Sequence, residues 1–133
     1  MQGFGVMIQS LGGNERTLNA IKLSLGKVIK KVSIDENELV FNFTDDTKLR
    51  VYDDGQSCCE DRYMRTDDDL SDFVGSTLID FELKDAPNIE DKYGEHEVQF
   101  LDVKTSDGIF TISNHNEHNG YYGGFWVVAI YEQ

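Results

Sequence analysis

The fold is decided by the stretch from Val28 to Val51. It runs Val28-Ile29-Lys30-Lys31-Val32-Ser33-Ile34, Asp35-Glu36-Asn37-Glu38, Leu39-Val40-Phe41-Asn42-Phe43, Thr44-Asp45-Asp46-Thr47 and Lys48-Leu49-Arg50-Val51. Val28, Val32 and Ile34 fall on one side of an extended chain. Leu39, Phe41 and Phe43 alternate with Val40 and Asn42, and Leu49 and Val51 keep the period of two. Alternate residues of a strand point to opposite faces, so this pattern buries one face and leaves the other polar. The intervals Asp35-Glu36-Asn37-Glu38 and Thr44-Asp45-Asp46-Thr47 have turn chemistry. Together they predict an antiparallel meander with one covered face.

On the N-terminal side, Leu18, Ile21 and Leu25 share one helix face, which predicts a helix over 15–25 that Gly26 stops. Residues 1–14 read as a loose N-terminal arm, the first ten of them alternatively as an edge strand, with Gly12-Gly13-Asn14 as a break. On the C-terminal side, Asp53-Asp54-Gly55 ends the third strand, and Cys58 to Arg65 fits no element clearly. Thr66-Asp67-Asp68-Asp69-Leu70 reads as a capped helix start, with Leu70, Phe73 and Val74 as its buried stripe and Gly75 as its stop. Further strands are predicted over 78–83, 96–104, 109–113 and 125–131, the last so apolar that a central position is expected. Residues 85–94, with Pro87, read as a polar loop. The expected class is α+β: a mainly antiparallel sheet with one or two short helices on one face, in a single domain of 1–133.

The chain carries 12 basic and 25 acidic residues, a formal charge of −13. The imbalance is lopsided: residues 1–66 hold nine basic and ten acidic groups, and residues 67–133 hold three and fifteen. Such a field repels phosphate backbones and disfavours duplex nucleic acid as a direct partner, while it suits basic protein surfaces. No apolar run is long enough for a membrane helix. The first eight residues lack the basic start and apolar run of a secretory signal. Cys58 and Cys59 are the only cysteines and adjacent, which is no disulfide framework and points to free thiols in a reducing cytoplasm.

Two segments concentrate chemistry. The first, residues 53–63, holds Cys58, Cys59, Glu60, Arg62 and Tyr63; the second, 113–125, holds His115, Asn116, His118, Asn119, Tyr121 and Tyr122 among glycines. Thiols and imidazoles suit zinc, but neighbouring strand residues face opposite ways and His-x-x-His is not a zinc-finger spacing. No metal or cofactor is expected, and no catalytic residue is assigned, a small metal- or thiol-dependent enzyme being the remaining alternative. The tyrosine-glycine loop reads equally as a tight turn covering the sheet or as a recognition surface of stacking rings and amide donors. Asp67, Asp68, Asp69 and Asp72 lack the alternating ligand pattern of a calcium loop and read as a helix cap and an acidic surface.

Five motifs resemble a family of small proteins of unknown function common in bacteriophages and prophages. They are Gly55-Gln56-Ser57-Cys58-Cys59-Glu60, Arg62-Tyr63-Met64, Thr66-Asp67-Asp68-Asp69-Leu70, His96-Glu97-Val98-Gln99-Phe100-Leu101 and the run from Asn114 to Phe125. The resemblance spans roughly residues 26–130 and carries no assigned activity or site residues. It implies a phage setting, in which small acidic accessory proteins blunt host immunity. Three functional expectations follow. The leading one is a non-enzymatic inhibitor that binds a host defence protein, such as a CRISPR nuclease, in the host cytoplasm. A pocket that sequesters a nucleotide immune signal comes second, and the metal or thiol enzyme third. A homo-oligomer and a virion-associated role also stay open.

Overall fold

The computed structural model describes residues 15–53, 60–85, 89–91, 94–118 and 127–133. Among the described residues one helix, α1 (Glu15–Ser24), precedes nine strands: β1 (Ile29–Asp35), β2 (Glu38–Phe43), β3 (Lys48–Asp53), β4 (Glu60–Arg65), β5 (Leu78–Asp85), β6 (Ile89–Asp91), β7 (Gly94–Thr105), β8 (Gly108–His118) and β9 (Val127–Glu132). All strand pairings between them are antiparallel. The α+β class therefore stands, but the strands form two sheets. The first has the order β1-β2-β3-β9; the second has the order β4-β8-β7-β5, with β6 also on β7.

The decisive meander folds as its alternation requires. Leu39, Phe41, Phe43, Leu49 and Val51 are fully buried, and Val40, Asn42 and Arg50 between them are half-buried. Glu36 and Asp46 adopt positive φ in the two connecting turns. One detail differs. The pairing of β1 with β2 slips between Ile29 and Lys31, and this extra residue puts Ile29, rather than Val28, beside Val32 in the core.

The sheets face each other across a shared core. Phe41 of the first sheet meets Phe81 of the second edge-on at 5.8 Å and Phe110 at 6.3 Å. Leu83, Leu101, Val103 and Ile112 complete the second sheet's buried layer. Backbone hydrogen bonds stitch the sheets at two corners. Ile29 donates to the Ser76 carbonyl (2.8 Å) and accepts from Gly75 (2.7 Å); Met64 donates to the Glu36 carbonyl (2.7 Å).

Three expectations change. β9 is an edge strand, not a central one. Its apolar sequence reflects α1, which packs beside it and covers the edge: Thr17, Ala20, Ile21 and Ser24 are buried, and the Thr17 hydroxyl accepts from the Ala129 amide (3.2 Å). The capped helix of 66–74 is only a 3-10 turn, Leu70–Phe73. Its cap is Asp69, accepting from the Ser71 amide (3.1 Å), because Thr66 and Asp68 are bound to β8 instead. Leu70 and Phe73 lean on the core, while Val74 is exposed. Finally, the stretch read as a loop over 85–94 contains β6, which with β5 flanks the length of β7. Residues 1–14 and Pro87 lie outside the described residues.

The alternation makes opposite predictions for neighbours on β2. Phe41→Ala should cost about 3–5 kcal/mol of stability in urea unfolding, as a large buried ring. Val40→Ala, on the other face, should cost less than about 1 kcal/mol.

Candidate functional site

The segment that fitted no element, 60–65, is an edge strand. β4 pairs with β8 from Glu60 opposite His118 to Arg65 opposite Ser113, so the two chemistry-rich stretches lie side by side. Their flanks are also joined: Asp53 pairs with Val127 at the ends of β3 and β9. Edge position explains the composition of β4. Among its described side chains only Met64 is buried, and it lies against the Glu36 turn.

Period two then sorts the side chains of β8. Phe110, Ile112, Asn114 and Asn116 are buried, whereas Thr111, Ser113 and His115 are half-buried and Glu117 is exposed. On the outer face Tyr63 and His115 are direct cross-strand partners, stacked at 4.6 Å with 7° between ring planes. The Arg65 guanidinium sits 5.0 Å over the same tyrosine ring. The Tyr63 hydroxyl donates to Glu117 (2.7 Å), and His115 Nε2 lies 2.9 Å from the Ser113 hydroxyl. Half-buried Val98 and Phe100 continue the platform on β7, opposite His115 and Ser113.

Two open grooves meet at Arg65. One, of about 560 Å³, runs along β4 between Glu36, Asp61, Tyr63 and Glu117. The other, of about 300 Å³, lies between Asp67, Asp68, Phe100 and Thr111. Asp61, Asp67, Asp68, Asp69 and Asp72 are all exposed. Two of them also hold backbone: Asp68 accepts from the Thr111 amide (2.8 Å) beyond the end of β4, and Asp69 caps the 3-10 turn.

Asn116 belongs to the same sequence cluster as His115 but to the other face, fully buried inside the sandwich. Beside it lie Asn114, which the sequence groups with Asn116 and Asn119 as amide hydrogen-bonders of a recognition surface, and Gln99, which the sequence does not single out. Asn114 is 1% exposed, and Gln99, opposite it on β7, is 5% exposed. Neither side-chain polar atom of Asn114 has a hydrogen-bond partner. Each buried group left so costs about 1–3 kcal/mol. The available signal was the phase of β8: counting in twos from Phe110 reaches Asn114 and Asn116 on the core face.

Positions 115 and 118, an odd number of residues apart on one strand, fall on opposite faces. Cys58, Cys59, Asn119, Tyr121 and Tyr122 lie outside the described residues; Glu60, Arg62 and His118 are placed by backbone pairing alone. Among the described residues, no group of three His, Cys, Asp or Glu is arranged to hold a metal ion. No helix among them is long and apolar enough to cross a membrane.

Fold and site define a two-sheet α+β domain with a stacked aromatic platform on one face and a buried amide cluster on the other. The chain belongs to the family described as domain of unknown function DUF7448, whose model matches residues 22–128. No curated protein and no solved structure matches it significantly.

The platform has a titratable signature. Partial burial, then the hydrogen bond to Glu117 and its charge, push the Tyr63 phenol up to about 12, with Arg65 pulling the other way. Between pH about 10 and about 12 an unfolded chain ionises this tyrosine and the folded one does not. Its stabilising contribution is thus whole below pH 10 and lost as pH rises through 12. In a phenolate absorbance titration, Tyr63→Phe should remove a phenol titrating near 12; loss of one titrating near 10 would dismiss the packed geometry.

Proposed function

We propose that the protein is a bacteriophage or prophage accessory protein that acts by binding, and that its target is a bacterial defence protein with a basic surface, a CRISPR nuclease being the leading case. The observation that carries this reading is the ring of exposed carboxylates around the outer platform. Asp61, Asp67, Asp68 and Glu117 border the grooves on either side of Arg65, with Tyr63, His115 and Phe100 between them. Aromatic rings with polar tips supply contact area, and the surrounding charge selects and orients a partner. A carboxylate rim fits the lysines and arginines that line nucleic-acid grooves, and it repels the nucleic acid itself.

The distribution of cations supports the same reading. Residues 67–133 hold only three basic side chains. Lys84 is bound to Asp102 (2.8 Å) and Lys104 to Glu82 (2.8 Å), both on the outer face of the second sheet. Both lysines are thus engaged away from Asp61, Asp67, Asp68 and Glu117, against which Arg65 is the cation that lines both grooves. The phage setting rests on the resemblance of the motifs over 55–70, 96–101 and 114–125.

The test is inhibition of target cleavage by purified CRISPR nucleases, measured at low and high salt. Inhibition should weaken roughly tenfold or more with added salt, as expected for charge-steered binding. The triple variant Asp61→Lys, Asp67→Lys, Asp72→Lys spares the two aspartates that hold backbone and should inhibit about tenfold less. Salt-insensitive inhibition, or full inhibition by the triple variant, would remove the charge mechanism, and no inhibition of any nuclease would remove this class of target.

A further inference from the structure

The first sheet concentrates charge of the opposite sign to the rim. Register sets Lys31 of β1, Asn42 of β2, Lys48 of β3 and Glu132 of β9 in one row across the sheet. Lys31, Asn42 and Lys48 alternate with the buried Val32, Phe41, Phe43 and Leu49, so the row lies on the outer face. The slip between Ile29 and Lys31 brings out a further cation: Lys30 and Lys31 are consecutive, and both are exposed. These side chains line an open groove of about 480 Å³.

Two carboxylates also line the groove, and each is taken by a cation other than Lys31 and Lys48. Asp46 pairs with Lys30 (3.7 Å). Glu132 stands opposite Lys48 in register, yet it pairs with Arg50 (3.2 Å), which also binds Glu38 (2.8 Å). Among the described residues, Lys31 and Lys48 therefore form no ion pair, and the Asn42 amide between them makes no hydrogen bond. Lysines on an edge strand discourage pairing with other chains, which accounts for Lys30 and Lys31 on β1. It does not account for Lys48, because β3 lies between β2 and β9. Lys48 is also half-buried, where an ammonium without a counter-ion gives up hydration for nothing.

The donor set narrows the ligand. Two ammoniums rise from backbones about 10 Å apart, on either side of a carboxamide. A carboxylate would bring one negative charge to two positive ones. A phosphate monoester brings a charge of about −1.5 to −2 and three acceptor oxygens, one for each of the three donor groups. Lysine meets phosphate as a point charge on a flexible stem, so the two stems can converge over Asn42. The volume is that of a small-molecule site. The acidic second half of the chain does not cancel the local field, since physiological salt screens exposed charges beyond about 8 Å.

We propose that Lys31, Asn42 and Lys48 form a binding site for the phosphate group of a small molecule on the outer face of the first sheet. The site stands on a different sheet from the protein-binding platform and goes beyond that reading.

The experiment titrates the full chain with inorganic phosphate, ribose 5-phosphate and, as the carboxylate control, acetate, reading the heat of binding and the NMR resonance of the Asn42 side-chain amide. At least one of the two phosphate compounds should bind saturably, shift that resonance, and bind roughly tenfold or more tightly than acetate. Tighter binding of ribose 5-phosphate identifies an ester and its organic part as the ligand; equal binding identifies phosphate alone. Lys31→Gln and Lys48→Gln should each weaken binding roughly fivefold or more. Lys22→Gln, the same charge change on the exposed face of α1, should weaken it less than about twofold. Asn42→Asp keeps the shape and sets a carboxylate between the two ammoniums, so it should melt no lower than the wild type and lose binding. Binding of neither phosphate compound, acetate binding as tightly, or an equal loss in Lys22→Gln would overturn the proposal. So would self-association that Lys31→Gln and Lys48→Gln abolish while no phosphate compound binds, the result expected of a groove for the acidic segment 66–72 of a second copy.

Discussion

The structure depends on Phe41. Its ring is fully buried, lies parallel to Phe43 at 6.1 Å on its own strand, and reaches Phe81 and Phe110 across the gap between the sheets. Offset and edge-on aromatic contacts add to the large apolar area such rings remove from water. Once Phe41 and Phe110 face one another, the period of two leaves no freedom further along either strand. Residues of β8 at even positions from 110 to 116 go in, and those at odd positions go out. The outer platform and the inner amide cluster are consequences of one register, and a slip by one residue would exchange them.

The second constraint is the treatment of edges. Free strand edges invite pairing with other chains, and the fold occupies several with its own groups. Thr17 takes an amide of β9, the Glu36 carbonyl takes one of β4, and Thr66 and Asp68 take both backbone groups of Thr111 where β4 ends. The acidic run 66–69 is thus partly structural and partly a charged border. Asp68 and Asp69 hold backbone amides, while Asp67 and Asp72 are exposed on the same segment.

Much of this was legible in the residues. The meander of 28–51, the helix before Gly26 and the strands of the second half are written in periodicity and glycine placement. Gly26, at φ 88°, donates to the Leu78 carbonyl (2.8 Å), a conformation in which a side chain is strained. β4 was not legible, because a strand that buries one methionine on one face has no apolar alternation to read. Thr66 has the sequence of a helix cap, but its hydroxyl donates to the Thr111 carbonyl, 45 residues away, and accepts only from the Asp68 amide in a local turn, four residues before the 3-10 turn starts. β9 looked central because local apolarity cannot distinguish a strand flanked by two strands from one flanked by a strand and a helix.

The sequence alone determined the class of the fold, the alternation of most strands and the acidic character of the second half, because these follow from local periodicity and composition. Tertiary structure alone decided that Tyr63 stacks on His115, that Asn116 is separated from both by the thickness of a sheet, and that Asn114 is buried without a partner. The pairing of β4 with β8 joins residues about fifty positions apart. Nothing local marks which residues will stand opposite one another over such a distance; the two-sheet core sets that register.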